Sequence, residues 1–192
     1  MGKVLLSLHG FHSSPESLKA RQLAEYIKEH HPEITFLCPQ LPCTPDKMWQ
    51  LIESIFEKYS GDTIGVVGSS LGGYLATKVV EVYKNRAVLV NPAVTPYRLM
   101  QTYAGQQVHP YLGEKYQIDN YYMDQLKALD VQDISNPESC WVLIQEEDEV
   151  LDYQQALTKY QGCKITCEAG GDHSFIGFDR FIPDIIHFFF KF

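Results

Sequence analysis

The chain has 192 residues, 45% of them hydrophobic and 21% charged, which suits a water-soluble domain with a substantial core. Acidic side chains outnumber basic ones by 24 to 16, and a net charge of −8 argues against a broad basic face for nucleic acid or anionic membrane. The five cysteines (Cys38, Cys43, Cys140, Cys163 and Cys167) are odd in number and contain no C-x-x-C pair, so they read as free buried thiols of a reducing cytoplasm.

Residues 4–8 form a continuous apolar run, as in a strand buried on both faces, and one too short for a signal-peptide core. Ser13 or Ser14 is placed to cap the next helix, with Pro15 near its start and Leu23, Tyr26, Ile27 and His30 on one face. Residues 34–37 make a second strand, ended by Pro39. Thr44-Pro45 opens a helix in which Met48, Leu51, Ile52, Ile55, Phe56 and Tyr59 follow 3–4 spacing. A strand over 63–67, a helix over 71–83 burying Ala76, Val79, Val80 and Tyr83, and a strand over 87–90 ending at Asn91-Pro92 continue the alternation.

The rhythm breaks between residue 95 and about residue 136, where no strand-like run is visible. Thr95-Pro96 marks a helix start and Gly105 its stop; residues 119–129 suit a second helix with Tyr122, Leu126 and Leu129 inward. Tyr97, Tyr103, Tyr111, Tyr116 and Tyr121 lie among polar residues here and suggest an aromatic, partly polar pocket wall. An insertion after a strand's C-terminal end falls over the active edge of an α/β sheet, so it reads as a small helical cap; a helix pair packed beside the sheet is the alternative. The alternation resumes with a strand at 141–144, a helix at 153–160, a strand at 164–167 and a last helix through Ile185 and Phe189. The apolar tail 181–192 is too short to cross a bilayer and contains Asp184 and His187, so it reads as a buried closing helix. Six strands alternating with helices predict a single α/β domain with a doubly wound, mostly parallel sheet.

Gly68-Ser69-Ser70-Leu71-Gly72 is G-x-S-x-G between a strand and a helix. In that context the pattern marks a nucleophile elbow, where a serine on a sharp turn projects its hydroxyl over the sheet edge and its neighbours have room for no side chain. A tight or phosphate-binding βα turn is the competing reading. A serine hydroxyl needs a base to attack at neutral pH. The partners are expected later in the chain as acid, then histidine, each just after a strand. Asp148 follows the strand at 141–144 and His173 follows the strand at 164–167. Glu146, Glu147, Glu149 and Asp152 lie close enough to Asp148 to remain rival acids, and Asp172 reads as a loop-ordering residue. The N–H of Leu71 and, from the loop His9-Gly10-Phe11-His12, the N–H of Phe11 are the expected oxyanion donors. His30 and His31 sit at a helix end, and His109 and His187 read as surface or packing residues. His9, His12 and His173 lack a carboxylate at ligand spacing, and Cys163 and Cys167 lack a further ligand close in sequence, so no metal and no organic cofactor is expected.

These segments resemble the α/β-hydrolase superfamily and, more narrowly, the YqiA-like bacterial esterases. The likeness runs nearly end to end. It rests on Leu8-His9-Gly10-Phe11, Ser13-Ser14-Pro15, Pro39-Gln40-Leu41-Pro42, Val67-Gly68-Ser69-Ser70-Leu71-Gly72-Gly73-Tyr74 and Val90-Asn91-Pro92-Ala93-Val94. It continues in Pro110-Tyr111, Asp148-Glu149-Val150-Leu151-Asp152-Tyr153, and His173 with Phe175 and Gly177-Phe178. The resemblance implies a compact α/β-hydrolase, esterase activity on carboxylic esters or acyl-CoA-type thioesters, and Ser70, Asp148 and His173 as a triad. Two positions depart from the family pattern: His12 stands where Asn is expected, and Glu147 where Gly is expected.

The leading expectation is a cytoplasmic serine esterase with a small-molecule substrate and no nucleic-acid or membrane partner. A thioesterase or acyltransferase acting on a CoA- or carrier-linked acyl group is the nearest alternative. A non-catalytic binding protein, with the insertion as its partner surface, is a third; the presence of Ser70, Asp148 and His173 together argues against it.

Overall fold

A computed structural model describes residues 1–191; Phe192, the last residue of the apolar tail, lies outside the described residues. In chain order the elements are β1 (Lys3–Leu8), α1 (Leu18–His30), β2 (Ile34–Leu37), α2 (Pro45–Lys58), β3 (Thr63–Ser69), α3 (Leu71–Tyr83), β4 (Arg86–Val90), α4 (Pro96–Met100), β5 (Gly105–Val108), β6 (Lys115–Ile118), α5 (Asn120–Ala128), β7 (Cys140–Gln145), α6 (Tyr153–Lys159), β8 (Lys164–Glu168) and α7 (Ile182–Phe190). The six strands expected from sequence pair in the order β2-β1-β3-β4-β7-β8, and every pairing is parallel.

Alternation along each strand sorts the core into two layers. Val4, Leu6 and Leu8 of β1 join Val66, Leu89 and Val142 under α2 and α3, where Ile52, Leu75 and Val79 cover them. Leu5 faces the other way, with Val67, Val88 and Leu143, under Leu23 and Ile27 of α1 and Ile185, Ile186 and Phe189 of α7. All of these side chains are buried, and each such aliphatic contributes about 1.5–3 kcal/mol by leaving water. The strand order turns back on itself at β1: the chain goes first to β2 on one side, then to β3 on the other. The loops after β1 and β3 therefore diverge at the C-terminal edge and leave a crevice between them, the place where doubly wound sheets put their sites.

Four local expectations are corrected. Ser13 and Ser14 do not cap α1. Ser14 Oγ accepts the Glu16 N–H at 3.2 Å and its carbonyl accepts the Ser17 N–H at 3.1 Å, so the segment spends its capping groups on turns and the helix starts at Leu18. The insertion is not purely helical: β5 and β6 form an antiparallel hairpin, with Tyr116 and Ile118 turned into the core. The first helix of the insertion ends at Met100, followed by a 3-10 turn over Gln101–Tyr103, short of the expected stop at Gly105. The second lies at Asn120–Ala128, within the expected 119–129, and the Asp119 carboxylate caps it by accepting the Tyr122 N–H at 3.0 Å. The thiols are all free but not all buried: Cys43 and Cys140 are, while Cys167 is exposed. No helix among the described residues is long and apolar enough to cross a membrane.

Candidate active site

Ser70 is the one residue between β3 and α3, and it sits at φ 56° and ψ −118°. That conformation costs a non-glycine residue about 1–3 kcal/mol. The surroundings hold it there. Its N–H donates to the Val90 carbonyl at 3.0 Å, and its own carbonyl accepts the N–H groups of Gly73, Tyr74 and Ala93 at 2.9, 3.2 and 3.1 Å. The flanking glycines are required by space: a Cβ on Gly68 would lie 2.2 Å from the Gly72 carbonyl oxygen, and one on Gly72 2.0 Å from that of Leu8.

His173, in the loop after β8, and Asp148, in the loop after β7, come to this serine from separate strands. The His173 Nε2 lies 3.1 Å from Ser70 Oγ, and its Nδ1 lies 2.9 and 2.8 Å from the two Asp148 oxygens. Facing a carboxylate, Nδ1 carries the proton, which leaves Nε2 to accept the serine hydroxyl. The Asp148 side chain is 2% exposed and its Oδ1 also accepts the N–H groups of Val150 and Leu151 at 2.9 and 2.8 Å.

The rival acids go elsewhere. Glu149 accepts the His173 backbone N–H at 2.9 Å, Asp152 caps α6 through the Gln154 N–H, and Glu146 faces the Cys167 thiol. Glu147, one of the two positions that depart from the pattern of the family it resembles, is exposed and ties its backbone N–H to the Gly170 carbonyl at 3.1 Å. Asp172 takes the Ser174 hydroxyl, in keeping with a loop-ordering role.

Two buried residues that the sequence reading passes over hold the His173 loop. Asn91, at the end of β4, donates to the carbonyls of Asp172 and His173 at 2.9 and 3.3 Å and accepts the Gln145 N–H at 3.0 Å. The Gln145 side chain accepts the N–H groups of Asp172 and Ile176 and donates to the Ile176 carbonyl. The available signal is a polar residue closing each of two otherwise apolar strands, which buried polar chemistry has to satisfy.

The loop after β1 lies against the serine: a Cβ on Gly10 would be 3.3 Å from Ser70 Cβ. The N–H groups of Leu71 and Phe11 have no acceptor among the described residues, and both residues line a cleft with Ser70 and His173. His9 braces this loop from beneath. Its buried Nε2 accepts the Leu41 N–H at 3.0 Å, which fixes the proton on Nδ1, where it meets the Gly10 carbonyl at 2.9 Å. Burial holds this imidazole below its ordinary pKa, so it stays neutral. His12 has φ 52°, stacks on Phe11 and meets the Tyr116 hydroxyl at 2.6 Å through Nε2, joining the loop to the cap hairpin. His109, expected at the surface or in packing, is buried 5.6 Å from the His12 ring.

Two clefts of about 150 Å³ each meet at Phe11, Ser70 and His173. One runs under the cap along Pro96, Leu99, Met100 and Tyr103, and leads toward a larger groove of about 350 Å³ beyond Val150. Of the five tyrosines expected to form an aromatic wall, only Tyr103 lines this cleft, and the rest of its cap wall is Pro96, Leu99 and Met100. Tyr111 and Tyr121 are exposed, and Tyr116 is turned toward His12. The other cleft opens along Ser13, Ser17, Lys19 and Ser174.

Solved structures share this architecture at low identity. Est1E from Butyrivibrio proteoclasticus superposes with a TM-score of 0.76 at 15% identity, over 99% of this chain and 88% of that one. The mouse alpha/beta hydrolase domain-containing protein 10 gives 0.72 at 18%, over 97% and 91%. A monoacylglycerol lipase from Paleococcus ferrophilus gives 0.67 at 12%, over 98% and 97%. At such identities the likeness is one of fold. A family model described as Uncharacterised protein family (UPF0227) matches residues 4–190.

Proposed function

The chain belongs to the UPF0227 (YqiA-like) family of α/β-hydrolase fold, and from that premise we propose that it is a serine hydrolase of carboxylic esters. The observation that carries the reading is the row of Ser70 Oγ, His173 and Asp148, spaced by 3.1 and 2.8 Å beside two unoccupied N–H donors. His173 Nε2 takes the Ser70 proton as Oγ attacks the ester carbonyl. The N–H groups of Leu71 and Phe11 receive the oxyanion, an interaction in which each donor is worth about 2.7–4 kcal/mol in the transition state. The same imidazolium then protonates the departing alcohol, and Asp148 stabilises it without being protonated itself. Water activated by His173 releases the acid from Ser70. A monoacylglycerol lipase among the proteins of like fold accords with ester chemistry.

The test is hydrolysis of p-nitrophenyl butyrate by the wild type and Ser70→Ala, together with fluorophosphonate labelling and peptide mapping. The expected loss in Ser70→Ala is on the order of a millionfold, down to background, with the label on Ser70 and absent in His173→Ala. Full activity in Ser70→Ala, or a label on another serine, would sink the assignment.

A further inference from the structure

Lys19 is oddly placed for a stabilising residue. It lies in the first turn of the 13-residue helix α1, where the helix dipole disfavours a cation, and no acidic residue shares that turn. It is half-buried, and desolvation lowers its ammonium to about 8, a shift opposed in part by the nearby carboxylates of Asp172 and Asp148. No carboxylate of the described residues forms an ion pair with it. One of its three N–H donors goes to the Ser174 carbonyl at 2.7 Å. The ammonium thus lines the cleft that holds Ser70 and His173, among the serines 13, 17 and 174, while the cleft on the other side of Ser70 is walled by Leu99, Met100 and Tyr103.

We propose that the Lys19 cleft is a leaving-group site: the ester attacked by Ser70 carries a negatively charged group on its alcohol, held by Lys19, and its apolar acyl chain lies under the cap. The inference rests on the hydrolase reading above. A cleft of about 150 Å³ has room for a group the size of a benzene ring. The assignment of sides follows from the order of steps. The acyl group stays bonded to Ser70 while the alcohol departs, and the water that follows must enter through the space the alcohol vacates, next to His173. The polar cleft suits both the departing anion and the incoming water. In the transfer the Ser70 Oγ–C bond forms, the C–O bond to the alcohol breaks, and the serine proton passes through His173 Nε2 to the alcohol oxygen; the charged group takes no part.

Two esters test this: the hexanoate of 4-hydroxybenzoate, with a free carboxylate, and the hexanoate of methyl 4-hydroxybenzoate, which is neutral. The readout is the ratio of their kcat/KM values, each corrected for spontaneous hydrolysis, at low salt. The wild type should favour the charged ester by about tenfold, the effect of one charge-assisted hydrogen bond. Lys19→Met should bring the ratio near one, and Lys19→Arg should restore most of it. Calorimetric titration of Ser70→Ala with 4-hydroxybenzoate and with its methyl ester gives a readout free of turnover, and the acid should bind about tenfold tighter unless Lys19 is also replaced by Met. A Lys19→Met variant that slows both esters equally would make Lys19 a tie to the His173 loop and overturn the site, as would a wild type without preference. Lys19-dependent binding of the acid with no hydrolysis of either ester would sink the hydrolase reading and keep the anion site. Hydrolysis of both esters with a ratio indifferent to Lys19 would do the reverse, and neither hydrolysis nor binding would overturn both.

Discussion

The sheet edge and the cap meet over the same serine but are held in different ways. At the edge, Ser70, Asn91, Gln145 and His173 are linked through backbone groups, and nearly every polar atom involved has a named partner. The cap rests on apolar packing by Met100, Ile118, Tyr122, Met123 and Leu126, with a few hydrogen bonds across: His12 to Tyr116, and the Tyr74 hydroxyl to the Leu126 carbonyl at 2.6 Å. Networks in which each member has two or three partners fix atoms to within tenths of an ångström, which a proton relay needs. Apolar packing tolerates exchange of side chains of similar volume, which a specificity wall needs. On the proposed hydrolase reading, the difference separates the part of the molecule that would set chemistry from the part that would set substrate fit.

Breaking the edge should have the larger effect. Asn91→Ala strands the carbonyls of Asp172 and His173 and the Gln145 N–H together. Each orphaned buried group costs about 1–3 kcal/mol, and a His173 displaced by about 1 Å should lower kcat on the order of 100-fold. Chemical denaturation and steady-state kinetics check both; a fall in stability with kcat intact would mean that the loop keeps its place without Asn91.

A pH scan tests the junction of the two regions. His9, His12 and His109 all have imidazoles held below the ordinary 6.5, in each case chiefly by burial. The unfolded chain therefore binds protons that the folded chain refuses, so their contribution is present above 6.5 and is lost as pH falls below it toward the depressed folded values. The Tm at about pH 5.5 should lie below that at about pH 7.5, and His12→Asn should narrow the gap. An equal gap in the variant would remove His12 from this account.

The smallest effect is expected from Tyr116→Phe. Burial pushes the Tyr116 phenol well above its usual pKa, so it stays protonated and able to donate to His12 Nε2. Losing that bond should cost about 1 kcal/mol and raise amide exchange in β5 and β6, with KM for apolar esters moving more than kcat. Unchanged exchange across the hairpin would show that packing alone seats the cap.

The features legible in the chain alone are local. The strand and helix alternation and the Gly68–Gly72 elbow follow from periodicity and the room a turn allows, both of which act over a few residues. Asp148 and His173 are legible as positions after strands, but four nearby carboxylates, Glu146, Glu147, Glu149 and Asp152, remain rival acids. Only the juxtaposition of β7 and β8 turns Asp148 toward the imidazole and sends Glu149, Asp152 and Glu146 to other partners. The β5–β6 hairpin carries no local signal because Gly105–Val108 and Lys115–Ile118 are short and polar, and pairing with each other and with the core makes them strands. Asn91, Gln145 and His9 acquire their partners only when distant segments close around Ser70. A hydrogen bond or a charged cleft belongs to a distance between atoms, and for residues far apart in the chain that distance is set by the packed sheet.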